Sequence, residues 1–159
     1  MSDLHDLLLV LDLRTDVPAE EIGELRWHLG LGPAPERLTI VTDFDEVVLD
    51  DDGAPARDAT GAILVASAPY QLLAARGPAR RLDGALVGTL EPRDGGGWAL
   101  TVRQEVHPDE FEHLDQLLAW LAARLRFAGT HFVGYLRHLE DASAGEVLTV
   151  TDGELVRTR

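Results

Sequence analysis

Cysteine, lysine and asparagine are all absent from the 159 residues of this chain. Without cysteine there is no thiol nucleophile, no thiolate metal site and no disulfide framework. Without lysine there is no Schiff base, no lysine general base and no lysine-bearing phosphate loop. The joint loss of Lys and Asn beside abundant Arg, Ala, Gly and Asp marks a coding sequence rich in G and C, because the codons of both missing residues begin with two adenines. Long apolar runs are missing too. No stretch reaches the roughly 20 residues that cross a bilayer, and MSDLHDLLLV carries acids where a signal peptide needs a basic region. A soluble cytoplasmic protein is therefore expected. Serine is scarce: Ser2, Ser67 and Ser143 are the only three. No Gly-x-Ser-x-Gly elbow frames any of them, which disfavours triad hydrolysis.

Positive charge is in short supply, and the net charge is −14. That field repels nucleic acid phosphates and anionic lipid, so neither is expected as a partner. The one local concentration of base is Arg76, Arg80 and Arg81 in AARGPARRLDG, a loop-like segment interrupted by Gly77 and Pro78. At this length a chain buries about two thirds of its unfolded surface, so a single domain over 1–159 needs no metal or disulfide to fold.

Hydrophobic periodicity organises the rest. LLLVLDLRT, Leu7 to Thr15, reads as a buried strand with Leu9, Leu11 and Leu13 on one face and Val10, Asp12 and Arg14 on the other. VPAEEIGELRWHLGLGP reads as a helix with Asp16 as N-cap, Pro18 in the first turn, and Ile22, Leu25 and Leu29 as its stripe. RLTIVTDF, DEVVL and GAILVASA are strand candidates. PYQLLAARGPARRLDG is expected to hold a short helix. GALVGTLEP and WALTVRQEV flank RDGGG as a hairpin. HPDEFEHLDQLLAWLAARLRF is the clearest helix, with Phe111, Leu114, Leu118, Leu121 and Leu125 spaced by three and four, and Gly129 as its cap. HFVGYLRHL, EVLTV and ELVRT follow as strands, the last two closed by Asp152-Gly153.

Two echoes run through this pattern. Glu46 to Arg57 lies over Glu146 to Arg157 without a gap, and Arg14 to Ile22 lies over Arg103 to Phe111. Each half, 1–80 and 84–159, then reads as strand, helix and Asp-Gly hairpin. Two helices among seven to nine strands joined mainly by hairpins predict an α+β protein of two layers, with both helices on one face of a mostly antiparallel sheet. As a tandem strand-helix-hairpin repeat, the layout resembles a doubled ferredoxin-like unit.

Three motifs invite chemistry. TIVTDFDEVVLDDDG is similar to the first motif of the haloacid dehalogenase phosphatases. That resemblance implies Asp43 as nucleophile and Asp45 as acid/base. Glu46 and Val47 stand where that family has Gly and Thr, and no lysine is present for its later phosphate-charge role. His107, Asp109, Glu110 and His113 crowd the start of the second helix, with Glu110 and His113 at the i, i+3 spacing of carboxylate-bridged di-iron sites. The first helix has no matching His, so the acids are expected to stabilise the helix terminus and no metal or cofactor is expected. Gly95 to Gly97 lies between hairpin strands, which makes it a turn rather than a phosphate cradle.

With both helices on one face, the other face carries Asp12 and Arg14, then Thr101, Arg103 and Glu105, then His131, Tyr135 and Arg137. Gly134 leaves room beside them. Arg14, Arg103, Glu105, His131, Tyr135 and Arg137 are accordingly the candidate binding residues, since Arg and Tyr anchor recognition surfaces. Trp27 and Trp120 lie off their helix stripes, at a core edge or in a docking patch. The function expected is a non-catalytic acidic binding protein whose partner is a basic protein. A small, strongly negative protein suits fast capture of a basic toxin, so an immunity- or antitoxin-like inhibitor is its specific form. The alternatives are a small metal-dependent or phosphate-ester hydrolase and a dimeric ligand-binding module, the last a homodimer.

Overall fold

The structure is a computed structural model that describes residues 3–141 and 145–159. Ser2 and Ser143 lie outside them. In chain order the elements are β1 (His5–Leu13), α1 (Ala19–His28), β2 (Asp45–Val47), β3 (Val65–Ser67), β4 (Gly77–Pro78), β5 (Ala85–Pro92), β6 (Trp98–Val106), α2 (Phe111–Ala123), β7 (Thr130–His138), β8 (Glu146–Thr151) and β9 (Glu154–Thr158). A short 3-10 turn, Pro108–Glu110, leads into α2.

Seven strands form one antiparallel sheet in the order β4-β5-β6-β1-β7-β8-β9. β1 is central and antiparallel to both β6 and β7. β6 and β7 therefore run parallel to each other, joined through α2, with β1 between them. In the same way β1 and β5 run parallel, joined through α1, with β6 between them. Two interlocked split βαβ units of this kind make one ferredoxin-like arrangement. The ferredoxin-like order thus occurs once across the whole chain, and not once in each half as the doubled layout had it. In the strand-to-helix echo Arg103 to Val106 belong to β6, whereas the matched Arg14 to Val17 lie past the end of β1. The hairpin echo does not survive: Glu146 to Arg157 builds the β8–β9 sheet edge, while Glu46 to Arg57 lies outside the seven-stranded sheet.

One face of the sheet meets both helices. Leu7, Leu9 and Leu13 of β1, Leu100 and Val102 of β6, and Leu148 and Val150 of β8 join Ile22, Leu25 and Leu29 of α1 and Leu114, Leu117, Leu118 and Leu121 of α2 in a single buried cluster. Trp120 closes its edge, its indole Nε1 donating to Glu21 at 3.1 Å. Asp16 does not cap α1; it pairs with Arg14 at 3.0 Å, and the helix starts behind Pro18 without a side-chain cap.

Two segments depart from their expected secondary structure. Residues 37–44 form no strand, because the Glu24 carboxylate of α1 accepts the amides of Thr39, Ile40 and Val41 that a strand partner would need. Residues 70–84 form no helix. They strap the β5 edge, held by the Arg76 guanidinium on the Leu29 and Gly88 carbonyls (2.7 and 2.8 Å) and by the Gln104 amide on Ala75. Arg76 thereby caps the C-terminus of α1, where a cation is stabilising.

Candidate interaction surface

The sheet face away from the helices is the first candidate surface. The side chains of Asp6, Leu8, Val10 and Asp12 point to it from β1, by alternation with the buried Leu7 and Leu9. A β-bulge between Phe132 and Gly134 breaks the alternation of β7. The bulge follows from Gly134, whose φ of +154° brings it so close to β1 that a Cβ would lie 1.8 Å from the Leu8 carbonyl oxygen. Cross-strand partners give the consequence: Phe132 lies opposite Thr149 and Tyr135 opposite Val147, both on the open face, whereas His131 lies opposite the buried Val150.

Three of the six candidate residues converge. Arg103 Nε, Tyr135 Oη and Arg137 Nη2 all reach the Asp6 carboxylate, at 3.4, 3.2 and 3.3 Å. Asp6 has no solvent exposure, so its charge is compensated where it lies, and the two guanidinium groups stay partly exposed around it. The Tyr135 hydroxyl is held above its ordinary 10.0 by burial first, then by the Asp6 charge and hydrogen bond. Glu105 stands opposite Asp6 in register but turns to the strap, accepting the amides of Arg80, Arg81 and Leu82 at 3.2, 2.7 and 2.9 Å. Burial works to raise its carboxyl, and those amides outweigh it, so the group titrates below the ordinary carboxylate range.

The other two stand apart. His131 bonds the Ala128 carbonyl at 2.7 Å and lines, with Phe127, Phe132 and the Asp12–Arg93 ion pair, a shallow depression of about 310 Å³ at the far end of the sheet. Arg14 lies past the end of β1, its amide on the Arg124 carbonyl at the C-terminus of α2. Asp6, the residue that organises the cluster, was not among the candidates. Its signal was the two-residue period: Asp6, Leu8, Val10 and Asp12 share a face once the strand is begun at His5.

The second candidate surface is the segment 45–67. Among the described residues β2 and β3 pair only with each other, Val47 opposite Val65. Beyond this stem the chain makes two further short hairpins, with bridges between Leu49 and Pro55 and between Arg57 and Ile63. The three stems meet in a closed ring of hydrogen bonds: Val48 N to Leu64 O at 3.0 Å, Leu64 N to Ala56 O at 2.8 Å, and Ala56 N to Val48 O at 2.8 Å. The result is a cloverleaf with one stem and two lobes. The lobes are built alike. Asp50 Oδ1 accepts the amides of Asp52 and Ala54, and Asp58 Oδ1 those of Thr60 and Ala62, all between 2.8 and 3.1 Å. Gly53 and Gly61 close both turns with positive φ, +79° and +84°. An eight-residue period announces this in the sequence, Asp50/Asp58, Gly53/Gly61 and Ala54/Ala62.

The cloverleaf is anchored at its base. Phe44 is 2% exposed. Its ring lies 4.6 Å from that of His113 and 5.3 Å from that of Tyr70, and its carbonyl takes the Ala68 amide at 2.9 Å. His113 bonds the Tyr70 hydroxyl at 2.8 Å through Nδ1 and the Asp43 carbonyl through Nε2. Burial, followed by the charges of Glu110, Glu46 and Asp109, pushes the Tyr70 phenol up to about 12. Asp43 thus sits in irregular chain just before an exposed three-residue strand, and no buried central strand presents it as the phosphatase motif requires. Glu110 is taken by the His107 amide in a capping box. Among the described residues no three His, Asp or Glu side chains are grouped to hold a metal ion, and no helix is long and apolar enough to cross a membrane.

Beyond the cloverleaf base the segment is exposed, apolar and acidic at once. Of the ten large apolar side chains that are exposed among the described residues, Val47, Val48, Leu49, Ile63, Leu64 and Val65 are six. Residues 43–67 hold seven acids, Asp43, Asp45, Glu46, Asp50, Asp51, Asp52 and Asp58, and one arginine, a net charge of −6. Among the described residues none of the seven acids forms an ion pair, and Arg57 donates to the Gly61 carbonyl at 2.8 Å. The fold and this surface together define an acidic protein with a ferredoxin-like sheet and an added β cloverleaf. No protein-family model matches the chain, and no curated protein or solved structure is measurably similar to it.

Proposed function

We propose that this chain is a non-catalytic binding protein that captures a basic protein partner, in the manner of an immunity or antitoxin inhibitor. One observation carries the reading: nearly half of the net negative charge sits unpaired between residues 43 and 58, −6 of −14 over 43–67. Elsewhere Asp6, Asp12, Glu21 and Glu146 are matched to arginines, and Glu24 and Glu105 to runs of backbone amides. An unmatched block repels itself in the folded state, and its use is in the long-range field it sends into solvent. Such a field raises the association rate of a cationic partner and turns away anionic ones. The sheet-face residues Arg103, Tyr135 and Arg137 contribute shape to this reading rather than free charge, because Asp6 already engages them.

The test is the association rate of the purified protein with a partner recovered from its own cells. The expected partner is rich in Lys and Arg. Its association rate falls about tenfold or more as ionic strength rises from about 0.01 M to about 0.15 M, where the screening length shortens from about 30 Å to about 8 Å. A rate indifferent to salt, or an acidic partner, overturns the reading.

A further inference from the structure

We infer that the cloverleaf, residues 45–67, is the docking element, and that it takes a cationic protein surface with an apolar floor. This inference rests on the capture of a basic partner proposed above and names the place where it happens. Six of the exposed apolar side chains are concentrated between residues 47 and 65, apolar area that the fold leaves in water. Val47 and Val65 face each other across the stem, Val48 and Leu64 meet at the junction, and Leu49 and Ile63 open the two lobes. The same segment carries Asp45, Glu46, Asp50, Asp51, Asp52 and Asp58, all exposed. Apolar area and charge side by side are what an interface core and its rim combine.

The charge selects the occupant. A second copy of this chain would bring its own net charge of −14 against the −6 of the segment, so the patch does not pair with itself. Phosphates, whether of nucleic acid or of lipid headgroups, meet the same repulsion. What remains is a protein surface that offers Leu or aromatic side chains flanked by Arg or Lys. The module is set for it in advance: Asp50 and Asp58 fix both lobes through identical amide contacts, and Phe44 fixes the stem to α2 through His113. Little order is left to be imposed on binding.

Two synthetic peptides of equal length and charge test this, one alternating Leu and Arg, the other alternating Gly and Arg. Each is titrated into the isotopically labelled protein at low salt, and backbone amide signals are followed. The Leu/Arg peptide is expected to bind about tenfold more tightly, with its shifts concentrated in residues 47–65. The double variant Leu49→Ser, Ile63→Ser is expected to bring it down to the Gly/Arg level with an unchanged Tm. Equal affinities with shifts spread over all acidic surface would overturn the docking element while leaving electrostatic capture intact. Absence of binding by either peptide at low salt would overturn the capture reading itself, and the docking element with it.

Discussion

Glu24 and His28, one turn apart on α1 and both sealed from solvent, approach within 3.6 Å. The carboxylate is the hub. It accepts the amides of Thr39, Ile40 and Val41 in succession, so one side chain satisfies three backbone donors of a segment that turns into the core at Ile40 and Val41 and has no strand to pair with. By holding 39–41, it sets the position from which Phe44 enters the core and from which the cloverleaf departs.

Replacing Glu24 by Gln is expected to destabilise the protein by about 3 kcal/mol at neutral pH, since the amide NH2 would face donors with no acceptor to offer. The pH dependence follows from the carboxyl group. Burial works to raise it, but the neighbouring His28 imidazole and the amides of Thr39, Val41 and Ile40 outweigh burial, so it titrates below its ordinary 4.5. A depressed carboxyl stabilises the fold fully above 4.5 and loses that contribution as pH falls through the lowered folded value. Urea unfolding from neutral pH down to about pH 3 is therefore expected to show the gap between wild type and Glu24→Gln narrowing with acid. A gap that stays constant would mean that the carboxylate is not the stabilising species.

What the sequence made legible and what it hid divide along the same physical line. The β5–β6 and β8–β9 hairpins, β7 and α2 are set by local rules: two-residue alternation, an Asp-Gly turn, and leucines at three and four. Each could be read where it stands. Residues 37–44 look like a strand by the same rules, and they lose that form to a carboxylate fifteen or more positions away in α1. The bulge at Gly134 is equally non-local, a close approach to Leu8 that shifts His131 out of phase with Tyr135. The cloverleaf lay in plain view as an eight-residue period. Its first lobe shares Asp-Gly with the Asp152-Gly153 hairpin, but its structural twin is the nearer lobe eight residues on.

Asp6 and Tyr135 supply a second expectation. Tyr135 is held above 10.0 by burial first and by the Asp6 charge and hydrogen bond next, while Arg103 and Arg137 pull it the other way. Asp6→Asn removes the charge and leaves the burial. In a Tyr70→Phe background, where Tyr135 is the one remaining tyrosine, its phenol is expected to titrate at lower pH in Asp6→Asn than with Asp6 present, as followed by ultraviolet absorbance. The same change is expected to cost about 2 kcal/mol, moderated because both guanidinium groups keep partial access to water. An unmoved titration would leave burial as the sole cause and take Asp6 out of the centre of the sheet-face cluster.

Phe44 and Leu49 lie five positions apart and answer to opposite environments, 2% and 60% exposed. Truncating Phe44 to Ala removes a ring packed against Tyr70 and His113 and is expected to cost about 4 kcal/mol. Truncating Leu49 to Ala removes a side chain already in water and is expected to change global stability by less than about 0.5 kcal/mol. Denaturant midpoints for the two variants measure both. The contrast bears on function, because an apolar side chain that contributes nothing to the fold exposes area that water disfavours and an oily partner would cover. If Leu49→Ala proves as costly as Phe44→Ala, the cloverleaf apolar groups are part of the core, and their exposure no longer argues for a partner.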